Sequence, residues 1–236
     1  VLFFAVVIGG GIGLYLRRTE RTVLRLVLAF SGAYILGITA LHLMPVVFLE
    51  RETYIGIWIL IGFFIQLLLE QLSWGVEHGH VHGHHQQRGF ALQVMIGLSL
   101  HAFIEGMPLS NYAELHSLLH DHAEKAHHLL YGIILHKAPA AFALVVVLLG
   151  AGYPSRQVIL CLLIFASMSP LGAFLAGQWP MDSGLIARLV AIVIGSFLHI
   201  STTILFEADD THQHKISWKK MAAILGGLGI SLLTIH

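Results

Sequence analysis

The sequence predicts an all-α polytopic membrane protein with eight transmembrane helices, and three observations predict it. Only 11% of the 236 residues are charged while 56% are hydrophobic, against roughly 25% charged in a soluble domain. Mean hydropathy is +0.79. Uncharged runs close to the ~20 residues that a helix needs to cross the hydrocarbon core recur along the whole length. The lipid bilayer is therefore the first expected partner. Lys and Arg total 13, as do Asp and Glu, and no basic patch offers itself to nucleic acid. The single Cys161 excludes a disulfide scaffold.

The first run, Val1–Leu16, carries no charge and begins without a basic segment, so it reads as a trimmed span rather than a signal peptide. Val23–Val47 follows a cluster of Arg and ends near Pro45. Tyr54–Leu72 carries Gln66 and Glu70 towards its end. Phe90–Tyr112 and Leu129–Gly150 are the two most polar spans. Val158–Gly177 holds Pro170, Leu185–Phe206 holds His199, and Met221–Ile235 closes the set. Gly9–Gly13 and Gly226–Gly229 read as small-residue packing surfaces. No GxxxxGK[ST] follows them, so they are not phosphate loops.

Lys and Arg set the expected orientation. Arg17, Arg18, Arg21, Arg25, Arg88, Arg156, Lys215, Lys219 and Lys220 fall on one side, against Arg51, Lys125 and Arg188 on the other. The first side is then cytoplasmic and both termini lie outside, in a plasma (inner) membrane. Lys137 fits neither side because it sits within the fifth span.

Histidine is over-represented, at 17 residues. Within a single domain of residues 1–236, the stretch 75–88 forms a His-rich cytoplasmic loop. Its Gly-spaced His78, His80, His82, His84 and His85 suit metal capture rather than a packed core. A second loop, Glu114–His128, holds His116, His120, His122, His127 and His128 on the opposite side. Beyond the seventh span, Glu207, Asp209, Asp210, His212 and His214 could receive released metal.

A charge within the bilayer costs several kcal/mol unless it is paired or faces water, which makes each one a functional candidate. His101 and Glu105 lie four residues apart in the fourth span. On a helix that spacing puts them on one face, about 6 Å apart along the axis. An imidazole and a carboxylate so placed can share a divalent cation, and His136 of the fifth span could supply a third ligand. Such a mixed set suits Zn²⁺, Mn²⁺, Fe²⁺ or Cd²⁺. Pro45, Pro108, Pro139 and Pro170 each free a carbonyl four residues earlier, three of them next to His42, Glu105 and His136. His42 and His199 are candidate waypoints, and Gln66 with Glu70 could mark the cytoplasmic exit.

These residues resemble the ZIP (Zrt/Irt-like) family of divalent metal transporters. His101-Ala102-Phe103-Ile104-Glu105-Gly106 is similar to the family's fourth-span motif, and His136-Lys137-Ala138-Pro139 to its fifth-span motif. HLMP at His42–Pro45 is similar to the second-span HLLPE with Val46 in place of the Glu, and GSFLHIST at Gly195–Thr202 to the seventh-span GxFLY. The resemblance implies a 3+2+3 bundle, the first and last three spans being inverted repeats around the fourth and fifth. It also implies metal movement into the cytosol by an elevator-like or rocking motion, and a homodimer as the expected assembly.

Many members hold two metals, using acids at positions that here read Lys137, Ala140 and Ser169. The chain therefore looks like the Lys-containing branch, whose fifth span reads HKAPAAF. One transport site of His101, Glu105 and His136 is expected, with Lys137 standing where the second metal would be and keeping Glu105 ionised by attraction. No catalytic cofactor and no enzymatic activity are expected. An intramembrane metal-dependent hydrolase is the main rival reading, but HExxH is missing. A metal sensor without transport is the other.

Overall fold

The structure, a computed structural model, describes residues 1–16, 21–49, 54–73, 89–112, 128–206 and 217–233. Among them the chain forms helices throughout. They are α1 (Leu2–Tyr15), α2 (Arg21–Ile38), α3 (Ile55–Ser73), α4 (Phe90–Gly106), α5 (His128–Gly150), α6 (Ser155–Ala176), α7 (Ser183–Phe206) and α8 (Trp218–Leu233). The expected spans and these helices coincide within a few residues, except that the second and fourth runs continue past α2 and α4 through the further helical turns described below. Lipid offers the backbone no hydrogen bonds, so an uncharged run of this length satisfies its own N–H and C=O groups as helix. The helices α2 to α7 are long and apolar enough to cross a membrane, and α1 is a shorter apolar helix. The chain is a polytopic membrane protein.

Local chemistry sets the breaks. Pro45 has no N–H for the Leu41 carbonyl, and α2 runs past it through a π-helical turn at Thr39–Leu43 into Met44–Leu49. The Met44 N–H there reaches back to Thr39 O. Pro108 falls in a 3₁₀ extension of α4, Met107–Ser110. After α5, Gly152 takes φ +84°. Its N–H bonds Leu149 O while the Tyr153 N–H bonds Leu148 O, closing the helix end with a Schellman turn. Asp182 Oδ1 accepts the Leu185 N–H at 2.8 Å and caps the start of α7.

The helices pack as two groups. In one, α1 lies along α5 and α4 along α6; in the other, α3 lies along α7 and α2 along α8. The first encloses its own apolar core, including Val94, Leu98, Leu144 and Phe165. The second is built around Ile35, Ile59, Val190 and Phe197 and takes in Ile133 of α5. Contacts of α2 with α5 and of α3 with α4 join them. Exchanging α1 with α6, α2 with α7, α3 with α8 and α4 with α5 carries the α1–α5 pairing onto α6–α4. The same exchange carries α3–α7 onto α8–α2, which is the pairing a 3+2+3 arrangement of repeats requires.

Lipid is as apolar as Leu, so close backbone approach rather than water exclusion drives these contacts. At the α3–α7 crossing a Cβ on Gly195 would lie 1.9 Å from Ile59 O, and one on Gly62 would lie 2.0 Å from Ile192 O. The outer faces present Phe4, Leu60, Phe64, Leu160 and Phe174, an apolar coat suited to acyl chains.

Candidate metal centre

The two groups of helices meet around a buried polar cluster. On α4 the four-residue spacing puts His101 Nε2 3.3 Å from Glu105 Oε2. From α5, Lys137 Nζ reaches the same carboxylate oxygen at 3.0 Å. The ammonium also stands 4.8 Å from the centroid of the Phe165 ring on α6, a cation–π distance. His101, Glu105 and Lys137 are 1–3% exposed. Glu105 Oε1 is buried with no hydrogen-bond partner among the described residues.

His136 precedes Lys137, so their side chains leave α5 about 100° apart. Its ring meets His101 edge-on, with centroids 5.9 Å apart, and faces Phe197 at 6.4 Å. His101 and Glu105 thus stand together with Lys137 on the carboxylate, while His136 meets them at the His101 ring. Among the described residues no three His, Cys, Asp or Glu side chains stand close enough to hold one ion together.

The other side of His101 is held by the second helix group. Ser196 Oγ on α7 lies 3.2 Å from His101 Nδ1 and donates to Gln66 Oε1 on α3 at 2.9 Å. About one turn further along α3, Glu70 Oε2 contacts His199 Nε2 of α7, and the Phe63 ring stands edge-on to His199 at 4.8 Å. Gln66, with His101, Glu105, Ser196, Gly62 and Leu69, lines a small cleft, and Glu70 with His199 continues the polar groups about one turn beyond it. His42 is placed elsewhere, its Nε2 3.5 Å from Ser231 O on α8. His78, His80, His82, His84 and His85 lie outside the described residues, as do His116, His120, His122, His127 and the stretch from Glu207 to His214.

Two residues of the cluster were not singled out from sequence. Ser196 stands three residues before His199 on one face of the seventh span, a spacing that could have flagged it. Phe165 carried no signal, because an aromatic residue in a transmembrane helix is ordinary.

Ser169, one of the positions where the resemblance led an acid to be expected, donates to Ala102 O at 2.7 Å. A Cβ on Gly106 would lie 2.2 Å from Ser169 O, so α4 and α6 touch backbone to backbone here. The position serves packing. Ser169→Ala should cost about 1 kcal/mol, read as a small drop in thermal midpoint with the metal response retained.

A profile of the ZIP zinc transporter family matches residues 74–234. The matched stretch takes in His101, Glu105, His136, Lys137, Ser196 and His199, while Gln66 and Glu70 precede it. Zinc transporter ZIP9-B of Xenopus laevis is 32% identical over 125 residues, 51% of this chain and 38% of that protein. Zinc transporter ZIP9 of Micropogonias undulatus is 29% identical over 163 residues, 63% of this chain and 49% of that protein. The chain thus spans less than half the length of these relatives. With a family match over well more than half of its residues, the chain belongs to the ZIP zinc transporter family.

Proposed function

We propose that the chain carries a divalent metal ion, Zn²⁺ foremost and Mn²⁺, Fe²⁺ or Cd²⁺ as alternatives, across the membrane into the cytosol. The observation that carries this reading is the buried meeting of His101, Glu105 and Lys137 between helices of a ZIP-family chain. Membership of a transporter family favours it over a hydrolase or a sensor. The cargo is bound by His101, Glu105 and His136. Lys137 takes the place of the second metal, as in the Lys-containing branch. Loading requires the ammonium to withdraw from Glu105 towards the Phe165 ring and His136 to turn inward.

The helix groups support an elevator-type movement. His101, Glu105, His136 and Lys137 all belong to the α1, α4, α5, α6 group, whereas Gln66, Glu70, Ser196 and His199 belong to the α2, α3, α7, α8 group. The first carries the ion along the second. The Lys and Arg distribution favours both termini outside the cytoplasm, and in that orientation, in a plasma membrane, α3 and α7 lead from His101 to the cytoplasm past Glu70 and His199. His42 serves the outer side, and the loops around His78–His85 and His116–His128 capture metal. The assembly is a homodimer.

Flux into proteoliposomes loaded with a divalent-cation dye tests the reading. Saturable uptake by the wild type is expected, falling to the level of protein-free vesicles in His101→Ala and Glu105→Ala. Tight metal binding without flux, from correctly inserted protein, would overturn it in favour of a sensor or an enzyme.

A further inference from the structure

Both ring nitrogens of His101 face polar atoms. Nε2 faces Glu105 Oε2 at 3.3 Å, and Nδ1 faces Ser196 Oγ at 3.2 Å. A neutral imidazole carries one proton, and only its bare nitrogen can bind a cation. Which nitrogen is bare is decided by what stands opposite Nδ1. The Ser196 hydroxyl has a single proton, and it goes to Gln66 Oε1 at 2.9 Å, inside the bundle where Gln66 is 1% exposed. Towards His101 the same oxygen is then an acceptor. Nδ1 therefore carries the hydrogen, and Nε2 turns its lone pair to the Glu105 carboxylate. The Lys137 ammonium on the same Glu105 oxygen balances its charge in the absence of metal, and a divalent cation would take that place with Nε2 as its nitrogen ligand.

We infer that Ser196 and Gln66 are positioning residues that set the His101 tautomer in which Nε2 is free to bind a divalent cation. They touch no cation themselves. The inference rests on the transport reading of the His101–Glu105 site and adds what regulates that site. His101 is on α4, in one helix group, while Ser196 and Gln66 are on α7 and α3, in the other. The tautomer lock exists only while the two groups keep this register. A slide of one helical turn, about 5.4 Å, carries His101 Nδ1 beyond hydrogen-bond reach of Ser196. The affinity of the site is thereby tied to the position of the carrying group, high where the chain Gln66–Ser196–His101 is closed and lower where it is broken.

The test is long-range ¹H–¹⁵N NMR of metal-free protein in nanodiscs, with ring-¹⁵N-labelled His and the His101 signal assigned by its loss in His101→Asn. Wild type should show Nδ1 protonated. Gln66→Leu frees the Ser196 proton to be donated to Nδ1, so its His101 should switch to the Nε2-protonated form. Ser196→Ala should show a mixture, and Ser196→Thr should keep the wild-type tautomer. Zn²⁺ affinity should fall roughly 10–100-fold in Gln66→Leu and Ser196→Ala and stay near wild type in Ser196→Thr. A merely structural role would lower the thermal midpoint without moving the tautomer. An Nε2-protonated His101 in wild type, or an unmoved tautomer in Gln66→Leu, overturns the inference and leaves the transport reading standing. Folded wild type that neither binds nor passes metal overturns the transport reading instead, whatever the tautomer.

Discussion

Lys137→Met should destabilise the metal-free protein by about 3–5 kcal/mol, the usual cost of removing one partner from a buried ion pair. Lys137 Nζ stands 3.0 Å from Glu105 Oε2 and both side chains are at most 2% exposed. Without the ammonium, Glu105 becomes an unpaired carboxylate in a membrane interior. The double variant Glu105→Gln/Lys137→Met removes both charges and should recover most of the wild-type thermal midpoint, because paired charges and apolar replacements differ far less than a broken pair. Zn²⁺ should raise the midpoint of Lys137→Met by more than that of wild type, since no ammonium competes for the carboxylate. Lys137→Glu should go further and change the number of metal ions bound. Unfolding curves with and without Zn²⁺, with binding stoichiometry, decide it. Equal midpoints in wild type and Lys137→Met, with uptake and stoichiometry unchanged in both Lys137 variants, would remove Lys137 from the site.

Gly195→Val should abolish the folded protein or leave a small fraction of it. The added Cβ would sit 1.9 Å from the Ile59 carbonyl oxygen, and that atom belongs to a helix backbone that cannot step aside as a side chain can. Overpacking a core costs about 1–3 kcal/mol where side chains can shift, and a backbone clash exceeds that range. Gly62→Val should behave alike, since the two glycines face one another's helices. Gly56→Ala, on the same α3 helix with nothing among the described residues within 4 Å of the new Cβ, should be close to neutral. Detergent-solubilised size-exclusion profiles and melting curves separate these outcomes. A normally folded Gly195→Val would mean that α3 and α7 do not cross so closely. The crossing also matters beyond stability, because Gln66 and Ser196 are aligned by it.

The spans were legible because in lipid the length of an uncharged run decides where a helix begins and ends. Val23–Val47 is the instructive case. The run predicted one span with its ladder broken at Pro45, and the chain does form one long helix, Thr22–Leu49. The π turn that carries it past the proline has no signature among Thr39–Leu43. His101 and Glu105 were legible for a related reason, since a four-residue spacing is a distance within a single helix. Lys137 was visible as a charge in the wrong place, and the resemblance to the Lys-containing branch pointed it at Glu105; the contact of its Nζ with Oε2 and the Phe165 ring beside it were not legible, because a residue on α5 can face any of several neighbours.

By itself the sequence determined the membrane-spanning class, the order of the helices and the His101–Glu105 pair, because each of these depends on residues near one another along the chain. The tertiary structure alone decided that the Phe165 ring stands by the Lys137 ammonium, that Ser196 joins Gln66 to His101, and that Glu70 meets His199 across a separation of 129 residues. Those contacts depend on how each helix is rotated and where it crosses its neighbour. That is settled by close approaches such as Gly62 against Ile192 and Gly195 against Ile59, a property of pairs of surfaces that neither helix carries alone.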